Sequence, residues 1–138
     1  MGYMNEKDYI VKRLIGLGYF EATDAFNFDS EGENVLDNRF IVQNPETVMG
    51  DETVVDRFYP RRTFSIQIAY RLSATGQTFE YDQIQDRVDL ILKDLPNQAN
   101  FGSSSILNVN YVRHTAEKVG DYLLVTIDIE VWGQLTYA

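Results

Sequence analysis

The residue types that most often do chemistry are thinly supplied here: the chain has one histidine, His114, and no cysteine. A metal centre built on His114 would need further histidines or carboxylates at fixed spacing, and none accompany it in sequence. His114 follows Arg113 at the end of a predicted strand and reads as a surface or turn residue. Nucleophilic catalysis would also require a positioned hydroxyl and an orienting acid, which no motif supplies. The 21 Asp and Glu residues are numerous enough that some pair falls within about 5–9 Å by accident, so a two-carboxylate glycosidase reading has no specificity. Gly16 and Gly18 lack the third glycine and the preceding strand of a dinucleotide-binding turn. Residues 29–34, DSEGEN, do not repeat oxygen ligands at the spacing of a calcium loop. The sequence therefore predicts no catalytic residue, no metal and no cofactor.

What stands out instead are side chains suited to contact. Tyr59-Pro60 leads into Arg61 and Arg62, which read either as solvated bases flanking a strand or as anchors between subunits, where Arg and Tyr are enriched. Phe101 is isolated in a polar loop. Trp132 falls on the nominally wet side of the last strand together with Leu124 and Tyr122, three large side chains that need a cover from this subunit or from a neighbour. Between residues 20 and 60 ten acids face two bases, Arg39 and Arg57, so most of the net charge of −9 lies in that stretch. A solvated loop surface accounts for such an excess. The sharper alternative is a surface that must lie close to nucleic acid without holding it.

These residues sit on a simple order of elements. Residues 5–17 predict an amphipathic helix in which Ile10, Leu14 and Leu17 form a stripe widened by Val11 and Ile15. Asn5 is its candidate cap, Glu6 and Asp8 suit its positive end, and Gly18 suits a left-handed residue after its last turn. Lys12 and Arg13 lie off the stripe and read as solvated. From 19 to 60, Asp, Asn and Gly clusters separate short apolar runs such as 26–28 and 40–42, which predicts one or two hairpins or an arm. Residues 63–72, TFSIQIAYRL, alternate with Phe64, Ile66, Ile68, Tyr70 and Leu72 on one face. Residues 80–95 return to a helical period through Tyr81, Ile84, Val88, Ile91 and Leu95 before Pro96 stops them. A strand over 106–112, with Leu107, Val109 and Tyr111 on one side, then pairs through a turn at 117–121 with a final strand buried at Leu123, Val125, Ile127, Ile129 and Val131. The expected fold is α+β: a mainly antiparallel sheet with two amphipathic helices on one face.

The length of 138 residues fits a single domain over 1–138 that buries roughly 65–70% of its unfolded surface. The acidic balance argues against a generic phosphate-binding surface. No apolar run is long enough to span a bilayer or precedes a small-residue cleavage site, so a soluble, unexported chain with no membrane partner is expected.

The pairing of TFSIQIAYRL with YDQIQDRVDLILKDLP, followed by ILNVNYVRH and YLLVTIDIEVWGQLTY, resembles the tail terminator, or tail-completion, proteins of long-tailed bacteriophages, the family that includes the phage lambda tail terminator. The resemblance covers residues 61–138, with the first helix as support, and rests on patterns of size and polarity. It implies a structural virion protein, not an enzyme, that forms a homo-oligomeric hexameric ring in the tail-neck region and is assembled in the host cytoplasm. Its implied partners are the tail tube protein, whose polymerisation it ends, and a neck connector or stopper protein. Genome DNA would pass through the lumen without specific binding. On that reading Asp29, Glu31, Glu33, Asp37, Asp51 and Glu52 line or flank the lumen and repel phosphates. Arg61, Arg62, Phe101, Tyr122, Leu124 and Trp132 are the candidate subunit interface. The alternatives are another neck component, a baseplate protein or, remotely, a small carboxylate-using hydrolase.

Overall fold

The computed structural model describes residues 2–22, 37–48, 61–72, 78–102 and 106–133. Helix α1 is Gly2–Gly16, strand β1 Phe20–Glu21, β2 Arg39–Val48, β3 Arg61–Arg71, helix α2 Thr78–Asp94, β4 Ile106–Val119 and β5 Tyr122–Gly133, with a short 3-10 turn at Gln98–Asn100. The fold is α+β, with a five-stranded sheet in the order β1-β2-β3-β5-β4. Every pairing is antiparallel except the two-residue parallel contact of β1 with β2, so the sheet is mixed but mostly antiparallel.

Period-2 alternation sets the two faces of the sheet. Phe64, Ile66, Ile68 and Tyr70 of β3 lie opposite Ile129, Ile127, Val125 and Leu123 of β5, and all eight are buried. Ile10 and Leu14 of α1 and Ile84, Val88 and Ile91 of α2 belong to the same core cluster. Burying a side chain of this kind stabilises the fold by about 1.5–3 kcal/mol. Ile15, expected to widen the α1 stripe, is 52% exposed; at five residues past Ile10 it points well away from the Ile10 and Leu14 side of the cylinder.

Local chemistry explains the ends of the elements. Gly18 has φ 101, the N–H of Tyr19 donates to the Leu14 carbonyl and that of Gly18 to Ile15, which is the six-residue closure that a left-handed glycine permits. The start of α1 differs from expectation: the helix begins at Gly2, so Asn5 lies inside it and is not its cap. The β4–β5 turn is tighter than a five-residue segment. Val119 pairs with Tyr122 across Gly120 and Asp121, and Gly120 supplies the positive φ, 59, required at the first turn position.

Strand β4 is twice as long as the seven-residue strand expected and does not keep one parity. Register shifts fall between Ile106 and Asn108 and between Tyr111 and Arg113, so Leu107 and Val112 are the extra residues. Ile106 and Val109 are buried, whereas Leu107, an extra residue of the first bulge, is exposed. Tyr111 keeps Val109's side, opposite Ile129, but is exposed on this edge strand. In β2 a similar irregularity lies between Gln43 and Glu46, around Pro45, whose missing N–H a regular ladder does not tolerate. Residues 44–47, which belong to the polar clusters expected to separate the short apolar runs of 19–60, are thus strand. The apolar run 26–28 lies outside the described residues.

Candidate functional site

Arg13, read as solvated, is paired, and Glu6, placed at the positive end of α1, is buried against Arg62. Glu6 is fully buried, and the Arg62 guanidinium donates through Nη1 to its Oε2 at 2.6 Å. Arg62 has the same parity as Phe64 and Ile66, so β3 turns it toward the core and α1 delivers the carboxylate. Burial pushes the Glu6 carboxyl above its ordinary value, opposed by the hydrogen bond and charge of Arg62. Arg13 donates through Nε and Nη2 to the two oxygens of Asp94, a bidentate clamp between α1 and α2. Tyr9 O–H donates to the Leu95 carbonyl at 2.6 Å and completes the junction. Phe101, a candidate interface residue, is buried edge-on to Tyr9 with ring centroids 5.6 Å apart, so the polar loop folds its aromatic ring into the core.

Just beyond the C-terminus of α1 the Tyr19 and Tyr70 hydroxyls are 2.7 Å apart, and the Arg87 guanidinium, from the middle of α2, lies 5.0 and 5.1 Å from the two ring centroids. Burial raises the Tyr70 phenol, with the neighbouring Tyr19 adding to the effect. A phenol held protonated in this way is a hydrogen-bond donor and a poor base. The cluster closes the space between α2 and β3.

The opposite face of the sheet carries the odd residues of β3 and the even residues of β5. Arg61 pairs with Trp132, Thr63 with Glu130, Ser65 with Asp128, Gln67 with Thr126, Ala69 with Leu124 and Arg71 with Tyr122. Four arginines stand around it. The Arg61 guanidinium is 5.2 Å from the Trp132 centroid, Arg71 is 5.7 Å from Tyr122, and Arg39 of β2, opposite Ala69, is 5.7 Å from Phe20. Arg113 of β4 donates to Asp128 Oδ2 at 2.9 Å with 75% of its side chain exposed. Trp132 Nε1 donates to Glu130 at 2.7 Å. Tyr122 is buried here and Leu124 half-buried, so part of the cover they need is within the subunit.

The Ser65 hydroxyl donates to Asp128 Oδ1 at 2.6 Å. Burial acts to raise the Asp128 carboxyl, but the bonds from Ser65 and Arg113 prevail and hold it below the usual carboxylate range. A carboxylate of that kind takes no proton from serine near neutral pH. His114 alternates to the other side of β4, opposite Ile127, with its Nδ1 2.7 Å from the Tyr111 hydroxyl. The serine–aspartate pair and the histidine are thus on opposite faces of the sheet, and no relay connects them. Among the described residues no group of three or more His, Asp or Glu could hold a metal ion, and no helix is long and apolar enough to cross a membrane.

Of the acidic candidates, Asp37 accepts the backbone N–H of Arg71 at 2.8 Å and so fastens the segment before β2 to the end of β3. Asp29, Glu31, Glu33, Asp51 and Glu52 lie outside the described residues. Sequence reading missed the roles of Glu6, Arg113 and Asp128. The usable signal was polar residues at positions whose parity is inward or shared across β3 and β5.

The sequence matches no protein-family model and no curated protein. Among solved structures, a chain from the virion of native gene transfer agent (GTA) particle superposes with a TM-score of 0.54 at 10% identity, covering 91% of this chain and 84% of that chain. At that identity the likeness is one of fold.

Proposed function

We propose that this chain is a structural protein of a phage-like virion, and that it acts as a tail terminator: a ring, six subunits in the family it resembles, seated at the head-proximal end of the tail tube. The observation that carries the virion reading is the fold shared with a chain of the gene transfer agent virion over most of both chains. The terminator role rests on the sequence resemblance over 61–138. The site chemistry supports an assembly role over a catalytic one. The arginines are matched to rings and carboxylates, Asp128 is held ionised, and the one histidine faces away from the serine–aspartate pair.

On this reading both helices pack on the Phe64, Ile66 and Ile68 side and leave the Trp132 side for neighbours. The ring would meet the tube on one side and a connector or stopper on the other, with DNA passing through a lumen that the acidic stretch helps keep free of bound phosphate. The test is to add purified protein to polymerising tail tube subunits and image the products. Tubes of bounded length capped by a ring at one end are expected. Unchanged tube growth with no bound protein would refute the terminator role, and a ring bound only to the portal side would make this a connector.

A further inference from the structure

Strand β4 ends the sheet: β5 lies on one side of it and, among the described residues, no strand lies on the other. Free edges are commonly guarded by bulges and lysines. Two bulges interrupt the first half of β4, but from Arg113 to Val119 the ladder to β5 runs without a break. The same stretch is uncovered on both faces, since every residue from Asn110 to Lys118 is exposed except the half-buried His114. Arg113, Thr115 and Glu117 stand on the Trp132 face, opposite Asp128, Thr126 and Leu124. His114, Ala116 and Lys118 stand on the other, opposite Ile127, Val125 and Leu123. Arg113 gives only its Nε to Asp128, which leaves its two Nη groups available, and among the described residues Glu117 and Lys118 have no ion pair.

We propose that the 113–117 segment of β4 pairs antiparallel with the same segment of a second copy, about a two-fold axis at Thr115. Residues opposed across an axis normal to the sheet share a face, so such a pairing is centred on a residue. Centred on Thr115, it sets Arg113 opposite Glu117, His114 opposite the small Ala116 and Thr115 opposite itself, and the two-fold makes each unlike pair twice. Centring on Glu117 would oppose two carboxylates, and centring on His114 or Ala116 would leave Arg113 facing Thr115 or Val119. The remaining charges nearby do not oppose this register. Asp128 holds the inner side of Arg113, Lys118 comes opposite the bulge at Val112 of the second copy, and Asp121 in the turn lies 4.0 Å from Arg71. Five residue pairs bury far less than a standard interface, so the dimer is weak, with a Kd on the order of 0.1 mM. A two-fold contact closes on itself and builds no ring, so this pairing belongs to the free chain and does not depend on the ring reading. It covers the unbroken edge against open-ended addition of other strands.

The chain has no cysteine, so single cysteines in the full chain report the register directly. Opposed Cα atoms of an antiparallel pair lie about 4.5–5.5 Å apart, within reach of a disulfide. Thr115→Cys should therefore oxidise to a covalent dimer. Lys118→Cys, also exposed, should not, because three residues from the axis the two copies of that position are about 20 Å apart. Sedimentation equilibrium at about 0.5 mM should show the wild-type dimer. Glu117→Arg should weaken it about ten-fold, and mixing that variant with Arg113→Glu should recover association, because both opposed rows then join unlike charges. Circular dichroism checks that each variant is folded. A wild-type chain that stays monomeric at that concentration, or Lys118→Cys cross-linking as readily as Thr115→Cys, would overturn the pairing. A folded Glu117→Arg that dimerises as tightly as wild type would overturn it too. A chain monomeric in solution whose β4 amides gain protection from hydrogen exchange only on tail tubes would reassign the edge to the tube protein.

Discussion

The buried Glu6–Arg62 pair should be the most informative single point of attack on the fold. Glu6 is fully buried, Arg62 keeps only 11% of its side chain exposed, and Glu6 Oε1 has no hydrogen-bond partner among the described residues. Replacing Arg62 by Met leaves the carboxylate without its cation. Breaking a buried pair from one side costs about 3–5 kcal/mol, and the lower end is expected here because Glu6 can escape by taking up a proton. Glu6→Met should cost a similar amount, since the guanidinium left behind cannot lose its charge. With an unfolding entropy of about 2.1 cal/mol/K per residue, a 138-residue chain changes Tm by ~1 °C for every 0.3 kcal/mol, so a loss of about 3 kcal/mol lowers Tm by about 10 °C.

The double variant Glu6→Met/Arg62→Met replaces the pair by apolar side chains of similar length and should recover most of the loss, giving a coupling energy above ~2 kcal/mol. Urea unfolding of all four proteins at neutral pH measures the cycle. The pH dependence supplies a second check. The Glu6 carboxyl is raised in the folded state by burial, and Arg62 opposes that rise. A raised carboxyl binds protons more readily folded than unfolded, so its favourable contribution is complete below the ordinary value of 4.5 and is lost as pH climbs through the folded value. The deficit of Arg62→Met against wild type should therefore grow from pH 4.5 upward. Single variants within 1 kcal/mol of wild type, or a double variant as unstable as the two singles summed, would show that the pair is not the buried junction described.

Two further outcomes follow from the same core. Ile127→Asp places a carboxylate at a fully buried position of β5, between β3 and β4, and should cost more than about 4 kcal/mol and send the protein to the insoluble fraction; soluble expression with a near-wild-type urea midpoint would contradict the inward assignment of residues 123–131. Burial, with Asp94 adding to it, pushes the Tyr9 phenol up to about 12, and burial raises Tyr70 as well. Both contribute stability that is intact below pH 10 and is lost as pH rises toward their folded values, so a phenolate absorbance titration should show late-ionising tyrosines that titrate together with unfolding above pH 10. Ordinary ionisation of all nine tyrosines before any unfolding would be the contrary result.

Much of this architecture is local in origin, and so is legible in the sequence. The alternation of 63–72 and 123–131 assigned the buried side of β3 and β5 residue by residue, because a strand's two faces follow from parity alone. Gly18 and Pro96 marked helix ends for reasons confined to one or two backbone units. The strand order β3-β5-β4 and the reach of β4 to Val119 depended on distant pairing, and its two bulges shift parity without leaving a mark in composition. The same limit governed the charged residues. Glu6, Arg13 and Arg62 look like solvated side chains in a helical or strand pattern, and only the approach of α1 to β3 and to α2 makes them buried or clamped partners. Phe101 looked like an exposed anchor in a polar loop until the ring of Tyr9 met it. Sequence alone thus determined which faces are apolar and how the elements alternate, because those follow from the chain's own periodicity. Tertiary structure decided which polar groups are core and which frame an open surface, because a charge's environment is set by neighbours far away in the chain.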